Sequence, residues 1–141
     1  MLKAAPAMQE VPSPAVAPTV LIVDDNEPTA RALAKVLGAA HFQTAVSYRG
    51  GDAVDYARHH QVDAAVVDIH LPDLSGLVVT QKLRERLGPT IPIIILSGDT
   101  SMEMLNALPH VGATYFFSKP VNSSHLIERL RTGLADVSGG Q

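Results

Sequence analysis

The chain has 141 residues, 11 Lys and Arg against 14 Asp and Glu, a net charge of −3 and no cysteine. That length suits one domain able to bury about two-thirds of its unfolded surface; the slight acidity and scattered bases give no general attraction to nucleic acid or an anionic membrane, and the missing thiols exclude disulfides, thiolate metal sites and a cysteine nucleophile. No apolar run approaches the roughly 18 residues of a membrane span, and MLKAAPAMQE is too broken by proline and polar groups for a secretory core, so a soluble cytoplasmic protein is expected.

Residues 1 to 18, with Pro6, Pro12, Pro14 and Pro18 and no periodicity, have the composition of a flexible extension. TVLIV (19 to 23) reads as the first strand, and the apolar stripe Ala30, Leu33, Ala34 and Leu37 as the first helix. QTAVSY (43 to 48) is a weaker strand followed by a helix over 51 to 60; AAVVD (64 to 68) is a strand followed by a helix over 76 to 87. PIIIL (92 to 96) is the fourth strand, and the helix after it, 102 to 108, is expected to be shortened by Pro109. TYFF (114 to 117) is the fifth strand, and Asn122 opens a last helix with Leu126, Ile127, Leu130 and Leu134 on one side. The domain is expected to span 19 to 135, with 136 to 141 a flexible tail or the start of a linker. Continuously apolar strands require helices on both faces, so the class is α/β with a doubly wound, five-stranded parallel sheet.

In such sheets ligands bind outside the carboxyl ends of the strands, near a switch in strand order. The first strand ends in Asp24 and Asp25, the third in Asp68, the fourth in Ser97 and the fifth in Lys119 followed by Pro120. With a flavodoxin-like (βα)5 order of 2-1-3-4-5 these four strands are contiguous, about 4.8 Å apart at each step, and their polar ends converge. Taken singly, the Asp pair before Pro28 reads as a helix cap, Ser97 as a turn residue and Lys119 as a solvated side chain. Asp68 is different, because an acid ending a buried strand needs a partner or a metal. Agreement among four strand ends outweighs the single readings.

These residues resemble the receiver domain of bacterial two-component response regulators over about residues 19 to 135, with LPDLSG (71 to 76) and the Gly-Ala of GATYFFSKP also similar to the family. The chemistry fits: a carboxylate such as Asp68 can attack phosphorus to form an acyl phosphate, and crowded hard oxygen ligands that must also touch phosphate favour Mg2+. The resemblance implies Asp25 and Asp68 as direct metal ligands, Asp24 largely through water and the backbone carbonyl of His70 as a further ligand. Lys119 would neutralise one phosphoryl oxygen and the Ser97 hydroxyl would donate to another. It also implies a phosphohistidine donor on a sensor histidine kinase or phosphotransfer protein, a switch formed by Ser97 and Phe116, and control of the acyl-phosphate lifetime by His70 and Asp99. The face made by the fourth helix, fifth strand and fifth helix, with Met102, Met104, Tyr115 and residues 124 to 131, is expected to carry a phosphorylation-dependent homodimer or effector contact. The short fourth helix ending in LPHVG, Val121 where an aromatic is common, and Phe116 without a phenolic hydroxyl depart from the usual pattern.

Other functions on this fold fit less well. A flavin module needs a phosphate-binding loop where DDNEP would repel phosphate, and Asp-nucleophile phosphohydrolases resemble Asp-x-Asp at one strand end, whereas here the acids are adjacent. A receiver-like interaction module that is never phosphorylated is the remaining alternative. Chemistry is expected to be limited to self-phosphorylation and self-dephosphorylation rather than turnover of a free substrate. His59 and His60 read as decoration of a helix end, and His41, His110 and His125 as surface residues.

Overall fold

A computed structural model describes residues 17–98 and 101–139. Five strands alternate with five helices: β1 (Thr19–Val23), α1 (Glu27–Ala39), β2 (Gln43–Ser47), α2 (Gly50–His59), β3 (Ala64–Asp68), α3 (Gly76–Leu87), β4 (Ile93–Ser97), α4 (Met102–Val111), β5 (Tyr115–Ser118) and α5 (Ser123–Gly139). All strand pairs are parallel and the order is β2-β1-β3-β4-β5, as the apolar runs and the expected topology require.

Strand alternation divides the core in two. Leu21, Val23, Ala65, Val67, Ile93 and Ile95 face α2, α3 and α4, where Ala53, Val54, Val79, Leu83 and Met104 cover them. Val20, Ile22, Ala64, Val66, Ile94 and Leu96 face α1 and α5, where Ala30, Leu33, Leu37, Leu126 and Leu130 cover them. β1, β3 and β4 are thus buried on both sides, which is why they read as unbroken apolar runs.

Two helix ends differ from the sequence expectation. α4 continues through Pro109 to Val111. Proline this close to the helix end forfeits one bond to the preceding turn, and the end is secured by other means. Gly112, left-handed at φ 86°, donates its N–H to the Leu108 and Pro109 carbonyls, while its own carbonyl accepts from Arg84 Nε at 3.0 Å and Nη2 at 2.7 Å. α5 runs to Gly139, so residues 136 to 139 extend the helix beyond the boundary placed at 135. At the other end, the extension expected over 1 to 18 lies outside the described residues except for Ala17 and Pro18, and the Pro18 carbonyl already accepts from the Gln43 N–H at 2.9 Å.

Candidate functional site

The sheet register brings the polar strand ends together. Val23 pairs with Val67, so Asp24 and Asp68 follow side by side. Asp68 pairs with Leu96 and Ser97 with Ser118, which leaves Lys119 one residue beyond the last pair. The Lys119 N–H donates to the Ser97 carbonyl at 2.9 Å, and the Lys119–Pro120 bond is cis. Sheet order reverses between β1 and β3, so the crevice at the switch point is the one that the acids line.

Asp24, Asp25 and Asp68 each offer a carboxylate oxygen within 4.8 Å of the others. Asp24 and Asp68 are 4% and 6% exposed, whereas Asp25 is open to solvent. At that separation the buried pair repels by about 3 kcal/mol at an effective dielectric of about 20. Lys119 answers part of it: Nζ lies 2.9 Å from Asp68 Oδ2 and 3.8 Å from Asp24 Oδ2. Burial pulls the Lys119 pKa down, but the hydrogen bond and charge of Asp68, with Asp24 and Asp25 behind them, leave it raised overall. Burial pushes the Asp24 carboxyl up, and the Asp68 charge adds to this; the Asn26 N–H and Lys119 oppose it without cancelling it. Three acids against one lysine leave a carboxylate-rich crevice with a deficit of positive charge. Hard oxygen donors, two of them buried, fit a divalent cation such as Mg2+.

The alternative use of the Asp pair as a helix cap, set aside in the sequence, is not what the structure shows either. Asn26 caps α1, its Oδ1 accepting from the Thr29 N–H at 2.9 Å. Asp24 Oδ1 instead accepts from the Asn26 N–H at 3.0 Å, which orients its other oxygen toward Lys119. Just past β3, the His70 N–H approaches Asp68 Oδ1 at 3.3 Å while the His70 residue itself is exposed. The turn after Asp68 closes on α3 through the Gly76 N–H and Ile69 carbonyl at 2.8 Å. Glycine is needed there: a Cβ on Gly76 would lie 2.2 Å from the Asp68 carbonyl oxygen and 2.6 Å from Ile69 Cα.

Ser97 is fully buried at the end of β4. Phe116 lies on the opposite face of β5 from its neighbours. It packs against the cluster containing Met104 and borders a cavity of about 250 Å³ with Leu105, Leu108 and Ala113. Phe117 joins the other cluster, and Tyr115 meets it edge-on at 5.0 Å beneath the Arg129 guanidinium, 4.1 Å from the Tyr115 ring centre. Asp99 lies outside the described residues. His59 and His60 close α2 against the Asp55 and Tyr56 carbonyls. Sequence reasoning missed Asp73, which grips the start of α2; its Pro-Asp context signals a turn but not a partner in another helix.

A family model for the response regulator receiver domain matches residues 20–131. The polar-differentiation response regulator DivK of Brucella ovis is 32% identical over 121 residues, a match covering 84% of this chain and 98% of DivK. The probable transcriptional regulatory protein TcrX of Mycobacterium tuberculosis is 32% identical over 127 residues; 86% of this chain is matched, and it spans about half, 54%, of TcrX. Among solved structures, a CheY-like receiver domain protein of Methanospirillum hungatei superposes with a TM-score of 0.84 at 24% identity, covering 89% of this chain and 99% of that one. A response regulator of Burkholderia pseudomallei, solved with a phosphorylated aspartic acid and a calcium ion, gives 0.76 at 27% identity, covering 87% and 72%.

Proposed function

The chain belongs to the response regulator receiver domain family, and from that premise we propose that Asp68 is its phosphoacceptor and that the acyl phosphate operates a switch. The observation that carries the reading is the Asp68 carboxylate, nearly buried at a switch-point crevice, flanked by two acids and held by Lys119 at 2.9 Å. The related Burkholderia protein was solved with a phosphorylated aspartic acid and a calcium ion, which supports the reading.

In the proposed reaction a carboxylate oxygen of Asp68 forms a bond to the phosphorus of a phosphohistidine on a sensor kinase or phosphotransfer protein, and the phosphorus–nitrogen bond breaks, returning the electron pair to the imidazole. Asp24, Asp25, Asp68 and the His70 backbone carbonyl would hold Mg2+, which when bound supplies positive charge to the phosphoryl oxygens. Lys119, already on Asp68, exchanges part of that contact for a phosphoryl oxygen, and the Ser97 hydroxyl donates to another. An apolar groove of about 710 Å³, lined by Pro28, Ala32, Leu33, Val36, Pro120 and Val121, opens beside Lys119 and offers the donor partner a resting place next to the acids. His70 and Asp99 are proposed to set the lifetime of the acyl phosphate by admitting or excluding water.

The signal is proposed to leave through Ser97 and Phe116 to the α4-β5-α5 face. There Met102 and Tyr115 are exposed, and association with a second copy or an effector would be favoured only as far as that partner prefers the phosphorylated arrangement. The receiver unit is taken to run from 19 to the end of α5, and its place of action to be the cytoplasm. Labelling by a small phosphodonor such as phosphoramidate tests the reading. One phosphoryl group per chain is expected with Mg2+ and none with a chelator, without continued turnover of a free phosphate ester. Sustained ester hydrolysis would favour a phosphohydrolase; absence of labelling under any condition would favour an unphosphorylated interaction module.

A further inference from the structure

Helix α2 begins without a cap of its own. Arg49 occupies the capping position in extended backbone, φ −135° and ψ 148°, and makes no side-chain capping bond. The first amides of a helix need acceptors, and here they come from another part of the chain. Asp73, on the loop between β3 and α3, accepts from the Gly50 N–H through Oδ1 and from the Gly51 N–H through Oδ2, both at 2.8 Å, across 23 and 22 residues of sequence. Those two amides hold its carboxyl below the usual range. The approach requires glycine: a Cβ on Gly50 would lie 2.5 Å from Val79 Cγ2 and 3.2 Å from Leu74 Cβ.

The same loop carries His70. Its ends are closed by the Gly76 N–H on the Ile69 carbonyl, and Leu71 and Leu74 pack partly buried against the core. Asp73 adds a two-oxygen, charge-assisted anchor in the middle. We infer that Asp73 is a positioning residue for the metal site: by clamping the loop of residues 70 to 75 to the start of α2, it fixes where His70 presents its backbone carbonyl beside Asp68. This role rests on the Mg2+-dependent phosphoacceptor reading above. Outer-shell partners of metal ligands commonly contribute about 10-fold or more to affinity, and Asp73 acts on one ligand among several.

The test is the initial rate of labelling by phosphoramidate as a function of Mg2+, in wild type, Asp73→Ala, Asp73→Asn and the double variant Arg49→Ser/Asp73→Ala. Asp73→Ala should raise the half-saturating Mg2+ concentration about 10-fold, with the rate largely recovered at saturating Mg2+. Asp73→Asn, which keeps an acceptor oxygen for one of the two amides, should give a smaller rise, and it serves alone if the alanine variant does not fold. The serine introduced in the double variant gives α2 a cap of its own and should restore thermal stability while the Mg2+ requirement stays raised. Unchanged half-saturation in the Asp73 variants, or its full recovery in the double variant, would reduce Asp73 to a helix cap and overturn the role. Mg2+-independent labelling of the wild type would overturn the metal reading and this inference together.

Discussion

Gly76→Ala probes the tightest glycine position among the described residues and the support of the phosphoacceptor together. The new methyl group would sit 2.2 Å from the Asp68 carbonyl oxygen, 2.6 Å from Ile69 Cα and 2.9 Å from the Asp68 carbonyl carbon. Contacts between such atoms are comfortable at about 3.5 to 4 Å, so either α3 or the chain at Asp68 must retreat by more than about 1 Å. All three obstacles are backbone atoms, which cannot rotate aside. Overpacking of this kind costs about 1 to 3 kcal/mol, with backbone obstruction at the upper end; the better helix propensity of alanine returns at most about 1 kcal/mol. A net loss of about 2 kcal/mol is expected, with slower labelling because Asp68 is displaced from Lys119. Urea unfolding followed by circular dichroism measures the first effect and phosphoramidate labelling the second. Gly38→Ala is the control: nothing lies within 4 Å of its Cβ position, so α1 should be stabilised by up to about 1 kcal/mol. A loss below about 0.5 kcal/mol in Gly76→Ala, with normal labelling, would refute the packing argument.

Asp24 supplies a pH prediction. Its carboxyl is raised above the ordinary 3.8 by burial, so the folded chain holds this proton more tightly than the unfolded chain. Its contribution to stability is full below 3.8 and is lost as pH rises through the folded value. In metal-free buffer, Asp24→Asn should therefore gain stability relative to wild type across that rise; urea midpoints that differ by a constant amount at every pH would contradict this. Lys119→Ala should retain slow labelling but blunt the response of Phe116 and α4, because the phosphoryl group loses its anchor on β5. Amide spectra with and without a phosphoryl mimic report it, and an undiminished response would make Lys119 dispensable to the switch.

The parts of the fold that depend on periodicity were readable from residues alone. β1, β3 and β4 are buried on both faces, so VLIV, AAVV and IIIL advertise themselves, and the acids and serine that interrupt them mark the strand ends. Features that depend on distant partners were not. Pro109 alone does not reveal that α4 continues past it, because part of the compensation comes from Arg84, 28 residues away from the Gly112 carbonyl it binds. Asn26 rather than an aspartate caps α1 because β1 carries Asp24 into the crevice, a consequence of where the strand ends against β3. Asp73 looks like a turn residue until α2 is folded against it.

Intact-mass spectrometry after exposure to phosphoramidate and Mg2+, on wild type and Asp68→Asn side by side, tests the central claim most directly. An amide is a poor nucleophile and a weaker metal ligand, and asparagine preserves the shape of the side chain at this nearly buried position. Wild type should gain one phosphoryl group that is lost on treatment with hydroxylamine, as an acyl phosphate is, and Asp68→Asn should gain none. The same adduct on both proteins would contradict the assignment of Asp68 as the phosphoacceptor.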